Sequence, residues 1–199
     1  MSGLIVIVDD DAAMRDSLDF LLSTHGLRTS CHASAEDLLA AGVPPDSTCV
    51  LADVRLGAGM DGVELIEALR RRGVGTPVVV ITGHADVPLA VRAMRAGAAD
   101  FIEKPFEPER LLGAVAEAGS RRDDVGEGEA GQARARLALL TPREREVLDL
   151  LVAGDANKVV ARRLGISPRT VETHRASIME KLGSRSFAET VRLALRATA

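Results

Sequence analysis

Four apolar stretches of this chain end in residues that can do chemistry. Leu4-Ile5-Val6-Ile7-Val8 runs into Asp9-Asp10-Asp11, Cys49-Val50-Leu51-Ala52 into Asp53, Val78-Val79-Val80-Ile81 into Thr82-Gly83, and Phe101-Ile102-Glu103 into Lys104-Pro105. Short runs of this kind read as buried strands. In open α/β sheets ligands collect beyond the carboxyl ends of the strands, so acids, a hydroxyl and a base would stand where a ligand sits. Grouping Asp9, Asp10 and Asp53 is costly: at about 4 Å and an effective dielectric near 20, each like-charge pair repels by roughly 4 kcal/mol. A hard divalent cation removes that penalty, and Mg²⁺ takes oxygen ligands while keeping room for phosphate oxygens. The set suits phosphoryl transfer onto a carboxylate, which is mostly positioning and charge stabilisation. Lys104 would pair with one phosphoryl oxygen and Thr82 would donate to another.

Any one of these residues alone reads more readily as a cap, a solvated acid or a surface lysine. Asp11, followed by Ala12-Ala13, reads chiefly as the cap of the first helix. What argues for a site is joint occurrence at four strand ends, which packing does not require. Gly57-Ala58-Gly59, just after Asp53, lacks the glycine spacing of a nucleotide-binding loop. Cys31 and Cys49 lie in strand-like runs without metal-ligand spacing and are expected to be reduced core thiols, with no disulfide or zinc site.

These strand ends need a frame. Strand-like runs near 4–8, 28–32, 49–53, 77–82 and 99–102 alternate with helical patterns near 12–24, 34–41, 62–72, 86–96 and 107–119. The alternation predicts a doubly wound, five-stranded parallel sheet with helices on both faces. The 199 residues suit two domains. Residues 1–125 carry 12 Lys or Arg against 20 Asp or Glu, whereas residues 137–199 carry 11 against 7. That asymmetry points to cations or phosphoryl chemistry in front and to nucleic acid behind. No apolar run approaches the roughly 20 residues of a membrane span, and no cleavable leader is evident, so a soluble cytoplasmic protein is expected.

After residue 118 the pattern gives way to a Gly-, Glu-, Asp- and Arg-rich linker, partly helical because residues 130–140 hold good helix formers. Thr141-Pro142-Arg143-Glu144 then combines an N-cap, a first-turn proline and a capping-box glutamate. The helix it opens stops at Gly154. A second is expected over about 157–164, a third from Ser167-Pro168 to about 182, and a fourth over about 187–196. The second and third are joined by Gly165-Ile166-Ser167, the short glycine-containing turn of a helix-turn-helix. On the third, Val171, His174, Ile178 and Leu182 form an inward stripe with Arg175 at its border, and Arg169, Glu172, Thr173, Ala176 and Glu180 lie opposite. His174 reads as a packed histidine. The outward face reads either as an ordinary solvated surface or as a reader of base edges. In the second case Thr173, Glu172 and Ala176 would approach bases, and Lys158, Arg169, Thr170 and Arg175 would meet phosphates.

The front half, with Ile81-Thr82-Gly83-His84, Asp86-Val87-Pro88 and the run from Ala96 to Phe106 through Lys104-Pro105, resembles the receiver domain of two-component response regulators of the FixJ type. The back half, with Leu140-Thr141-Pro142-Arg143-Glu144, Asn157-Lys158-Val159-Val160-Ala161 and the run from Ser167 to Arg175, resembles the LuxR-type four-helix DNA-binding domain. The resemblance implies a receiver over 1–121, a linker over 122–136 and a DNA-binding domain over 137–199. It implies Asp53 as phosphoacceptor, Mg²⁺ held by Asp10 with Asp9 beside it, by Asp53 and by the backbone carbonyl of Arg55. Thr82 and Phe101 would form the switch pair, Lys104 the phosphoryl-binding lysine, and Lys104-Pro105 a cis bond. Val87, Val91, Arg92 and Arg95 would lie on a dimerisation face, and the fourth C-terminal helix would support dimerisation on DNA. Implied partners are a sensor histidine kinase, promoter DNA, RNA polymerase and a second copy of the chain. The family is not an enzyme family. Two other readings stand beside it: a DNA-binding regulator whose receiver works without phosphorylation, and a phosphatase with an aspartyl-phosphate intermediate, which would need a general acid and a substrate cap that the sequence lacks. In one place the chain departs from the family. Leu56-Gly57-Ala58-Gly59-Met60 replaces the usual proline turn and is one residue longer, so a less rigid loop is expected beside the site.

Overall fold

In the computed structural model, which describes residues 3–83, 86–120 and 128–198, strands and helices alternate through the first 120 residues. In chain order these are β1 (Leu4–Val8), α1 (Ala12–Thr24), β2 (Arg28–His32), α2 (Ala35–Ala41), β3 (Ser47–Asp53), α3 (Gly62–Arg71), β4 (Val78–Thr82), α4 (Val87–Ala96), β5 (Asp100–Glu103) and α5 (Pro108–Ser120). All strand pairs are parallel and the order is β2-β1-β3-β4-β5. The chain leaves β1 for the β2 edge and returns past it to β3, so the order reverses between β1 and β3, the place where doubly wound sheets bind ligands.

Residue alternation splits the core across the sheet. Ile5, Ile7, Cys49, Leu51, Val79, Ile81 and Ile102 pack with Leu18 and Leu22 of α1 and with Leu111, Ala114 and Val115 of α5. Val6, Val8, Val50, Ala52, Val78 and Val80, which alternate with them, are also buried. Burial of both strand faces explains why β1, β3 and β4 read as unbroken apolar runs. Edge strand β2, of sequence RTSCH, does not, and there Cys31 is exposed rather than in the core as expected; Cys49 is buried. β3 begins two residues earlier than the sequence suggested, because a register shift between Leu4 and Ile5 lets Ser47 pair with Leu4 and Cys49 with Ile5. Caps set where helices start: the Asp11 carboxylate accepts from Ala13 N at 2.9 Å, Asp61 forms a capping box with Glu64, and Asp86 accepts from Leu89 N at 2.8 Å.

The remaining helices are α6 (Gly128–Leu137), α7 (Pro142–Val152), α8 (Asn157–Leu164), α9 (Pro168–Leu182) and α10 (Phe187–Ala197). Their core holds Val147, Leu148, Leu151, Val160, Val171, Ile178, Leu182 and Val191. Part of the segment read as linker is thus helical, and it is packed. α6 lies against α10 with Ala133 and Leu137 each 4% exposed, and Arg134 Nε donates to Ala197 O at 3.1 Å. Residues 121–127 of that segment, and His84 of the β4 motif, fall outside the described residues. By density of contact the chain divides into two compact units, residues 1–84 with 96–124 and residues 85–95 with 125–199, so most of α4 is grouped with the C-terminal helices.

Candidate functional site

The carboxyl ends of β1, β3, β4 and β5 bring Asp9, Asp53, Thr82 and Lys104 to one edge of the sheet. Lys104 Nζ donates to Asp53 Oδ2 at 2.6 Å and to Asp9 Oδ2 at 2.9 Å. The peptide bond that follows it is cis, as expected for Lys104-Pro105. The other oxygen of Asp9 accepts from Asp11 N at 2.9 Å, and that of Asp53 accepts from Arg55 N at 3.0 Å. Asp9 is 2% exposed, and burial pushes its carboxyl above the usual range even though Lys104 and Asp11 N favour the charged form. Burial alone would depress the Lys104 ammonium, but its hydrogen bonds to Asp53 and Asp9 outweigh that and hold its pKa above the ordinary value. The lysine thus stands between the two crowded carboxyl groups and bridges them.

Around this pair, Asp10 is exposed at the rim, and Thr82 is buried, its carbonyl accepting from Lys104 N at 2.7 Å. Phe101 is also buried, opposite Val80 in the sheet. Among the described residues no three acidic, histidine or cysteine side chains form a closed metal cage. Between Asp9 and Asp53 stands the Lys104 ammonium, hydrogen-bonded to both.

Three neighbours of the site escaped sequence reasoning. Arg15 Nη1 donates to Asp9 O at 2.6 Å, steadying the acidic turn from α1. Gly62 opens α3 so close to β3 that a Cβ would lie 2.2 Å from Asp53 O; the Asp61-Gly62 pair before the helical pattern was its only trace in the sequence. Glu36 of α2 accepts from Met60 N at 2.8 Å in the loop after Asp53, a tie across 24 residues that no local pattern announces.

On the expected dimerisation face, Arg92 and Arg95 are exposed, but Val87 and Val91 are buried at 6% and 2% exposure.

In the C-terminal unit, α8 ends at Gly165 in the left-handed conformation and α9 begins after its Ser167 cap, so Gly165–Ser167 is the tight turn the sequence indicated. Arg169, Glu172, Thr173 and Ala176 are exposed along one face of α9, and Lys158 is exposed on α8. Thr170 is half-buried and engaged with Ser167, its N donating to Ser167 Oγ at 3.1 Å. His174 is half-buried. Arg175, expected at the border of the inward stripe, is half-buried, with its guanidinium 4.5 Å from the centre of the Phe187 ring, a cation–π contact that joins α9 to α10. A second tie holds α9 from the other side. The buried Glu144 carboxylate accepts from Thr141 N at 2.8 Å, Ser177 Oγ at 2.8 Å and Lys181 Nζ at 2.7 Å. Burial works against its charge, but Lys181 and the other donors prevail and pull its pKa down to about 2.

Residues 5–116 match the response regulator receiver domain and residues 138–194 match the bacterial regulatory proteins of the luxR family. The transcriptional regulatory protein FixJ of Azorhizobium caulinodans is 49% identical over 193 residues, covering 96% of this chain and 91% of that protein. The chain is a FixJ-type response regulator. The C4-dicarboxylate transport transcriptional regulatory protein DctR of Rhodobacter capsulatus is 43% identical to this regulator over 197 residues, 97% of this chain and all of that protein. The crystal structure of full-length FixJ from B. japonicum is 45% identical, covers 98% of this chain and 97% of that one, and superposes with a TM-score of 0.57. The regulator is therefore a two-component transcriptional response regulator, a class of switch rather than of enzyme, with a receiver and a LuxR-type DNA-binding region. None of its described helices is long and apolar enough to cross a membrane.

Proposed function

We propose that the regulator accepts a phosphoryl group on Asp53 from a sensor histidine kinase, dimerises, and binds promoter DNA through α9 to control transcription in concert with RNA polymerase. The observation that supports this most directly is Lys104 bridging Asp53 and Asp9 at 2.6 and 2.9 Å. In the transfer an Asp53 carboxylate oxygen attacks phosphorus, an acyl phosphate bond forms, and the bond to the kinase imidazole breaks. Lys104 then turns from two carboxylates to a phosphoryl oxygen, and Thr82 donates to another. The donor set fits Mg²⁺: the buried Asp9, the rim residue Asp10, Asp53 and the Arg55 carbonyl supply only oxygen, and they lie at the edge where the sheet order reverses. Mg²⁺ bound there would supply charge neutralisation for the incoming phosphoryl oxygens.

Inward movement of Thr82 and rotation of Phe101 would alter the face carried by α4. Arg92 and Arg95 are its exposed part, and a dimer that also uses Val87 and Val91 needs α4 to turn or shift, since both valines are buried. In this reading residues 1–121 are the receiver and 137–199 the DNA-binding domain, with α6, from the intervening segment, packed on the latter. On DNA, Glu172, Thr173 and Ala176 face the major groove, with Lys158 and Arg169 at phosphates. Arg175 serves as a clamp rather than a contact.

Light scattering of the wild type and of Asp53→Asn, each with and without acetyl phosphate and Mg²⁺, tests the proposal. A monomer-to-dimer shift in the wild type alone is expected. The same mass for both proteins under every condition would overturn the dimerisation step, and failure of the wild type to take up phosphate would favour a receiver that works without phosphorylation.

A further inference from the structure

The loop between β3 and α3, residues 54–61, contains Gly57 and Gly59, yet it is braced from outside by a carboxylate. At one end Gly57 passes near Asp10 without being held by it, a Cβ built there falling at an ordinary 3.7 Å from Asp10 Oδ2. At the other the Glu36 side chain lies across Gly59, so that a Cβ there would come within 2.5 Å of its Oε1 and 3.0 Å of both Cδ and Oε2. The same Oε1 accepts from Met60 N at 2.8 Å. That hydrogen bond is the main reason the Glu36 carboxyl lies below its usual range, so the tie is made by the charged form. Glu36 occupies the first turn of α2, whose start is pinned by Ser34 accepting from Asp37 N at 3.1 Å. The brace is thus anchored on a capped helix, while the segment it holds contains two glycines that restrict the backbone least.

We propose that Glu36 is a positioning residue for the Asp53 site: by holding Gly59 and Met60 it fixes the loop that carries Gly57 against Asp10 and follows the Arg55 carbonyl. One hydrogen-bonded carboxylate thereby stiffens a segment that carries two glycines. A Cβ at position 59 would displace the Glu36 carboxylate from this place. This rests on the reading of Asp53, Asp10 and Arg55 as the phosphoryl and Mg²⁺ site. Releasing the loop loosens the Arg55 carbonyl and Asp10 and admits water to the acyl phosphate, so Mg²⁺ binds less tightly and the phosphoryl group is lost faster.

The test uses the full chain as wild type, Glu36→Ala, Glu36→Gln, Gly59→Ala and the Glu36→Ala/Gly59→Ala pair. Amide exchange at Met60, Mg²⁺ affinity by calorimetry and the lifetime of the phosphorylated form after acetyl phosphate are measured. Glu36→Ala is expected to speed Met60 exchange, weaken Mg²⁺ binding and shorten the lifetime by about threefold, the scale of one lost charge-assisted hydrogen bond at an exposed position. Glu36→Gln, which keeps the acceptor oxygen, should stay close to wild type. Gly59→Ala should behave like Glu36→Ala, and the pair no worse than either, because both break one contact. Unchanged Met60 exchange in Glu36→Ala would overturn the proposal, as would faster exchange with unchanged Mg²⁺ affinity. If the wild type takes up no phosphoryl group, it is the Asp53 reading that fails, and the brace then stands or falls on exchange and Mg²⁺ affinity.

Discussion

The Lys104 ammonium lies 2.6 Å from the Asp53 carboxylate, across 51 residues of sequence, and both side chains are largely buried. Without metal, that contact and its twin to Asp9 are what balance the acids. Lys104→Met is therefore expected to destabilise the metal-free protein by about 3 kcal/mol, as breaking a buried pair does. Mg²⁺ should restore much of the loss and bind more tightly than to wild type, since no lysine competes for Asp9 and Asp53. Thermal melts with and without Mg²⁺ check both points, and a Lys104→Met protein indifferent to Mg²⁺ would contradict them.

Glu144 makes the C-terminal helices acid-sensitive in a defined window. Its folded pKa is depressed from 4.5 to about 2, so its stabilisation is present above pH 4.5 and lost as pH falls towards about 2, where the folded form also takes up the proton. Glu144→Gln should be less stable at neutral pH and should show a flatter fall of stability between those limits. Urea unfolding across the window, monitored by helical signal, measures the difference in slope.

Salt dependence separates a phosphate contact from a clamp. Arg169→Ala should weaken DNA binding and reduce the slope of log affinity against log salt by about 1, as loss of one phosphate contact does. Arg175→Ala should also weaken binding but leave that slope unchanged, because its guanidinium is stacked on Phe187 and acts through the placement of α9. An equal loss of slope in both variants, measured by fluorescence anisotropy of labelled DNA, would return Arg175 to the DNA surface.

Leu137 is the largest buried side chain that α6 contributes, at 4% exposure. Leu137→Ala should cost about 2–5 kcal/mol, the range for a truncated core leucine. A loss below about 0.5 kcal/mol in urea unfolding, the size of an ordinary surface change, would mean that α6 is not held on α10.

The strand ends were legible because each is a place where a buried apolar run stops at a charge: Asp9, Asp53 and Lys104 could be placed before any contact was known. Two of the C-terminal helices were legible for a related reason, since Thr141 and Ser167 occupy caps that only a helix start explains. What escaped depends on distant partners. Cys31 sits in a run that looks like a strand, but whether a strand is central or at an edge is a property of sheet order. Arg175 lies at the border of a stripe, and its Phe187 partner comes from the next helix. α6 offers mostly Ala, Gly and Arg, a composition that reads as spacer until Ala133 and Leu137 are seen under α10.

The packing of α6 redraws the seam along which this regulator can be taken apart. A chimera joined within residues 121–127 would transplant the output half with α6 still packed on α10. One joined at residue 137, where the helix-turn-helix motif alone would suggest cutting, would strip cover from α10 and deliver a recipient protein with a sticky flank. Exchange of sensory and output halves between regulators of this build should therefore succeed or fail by whether α6 travels with α10.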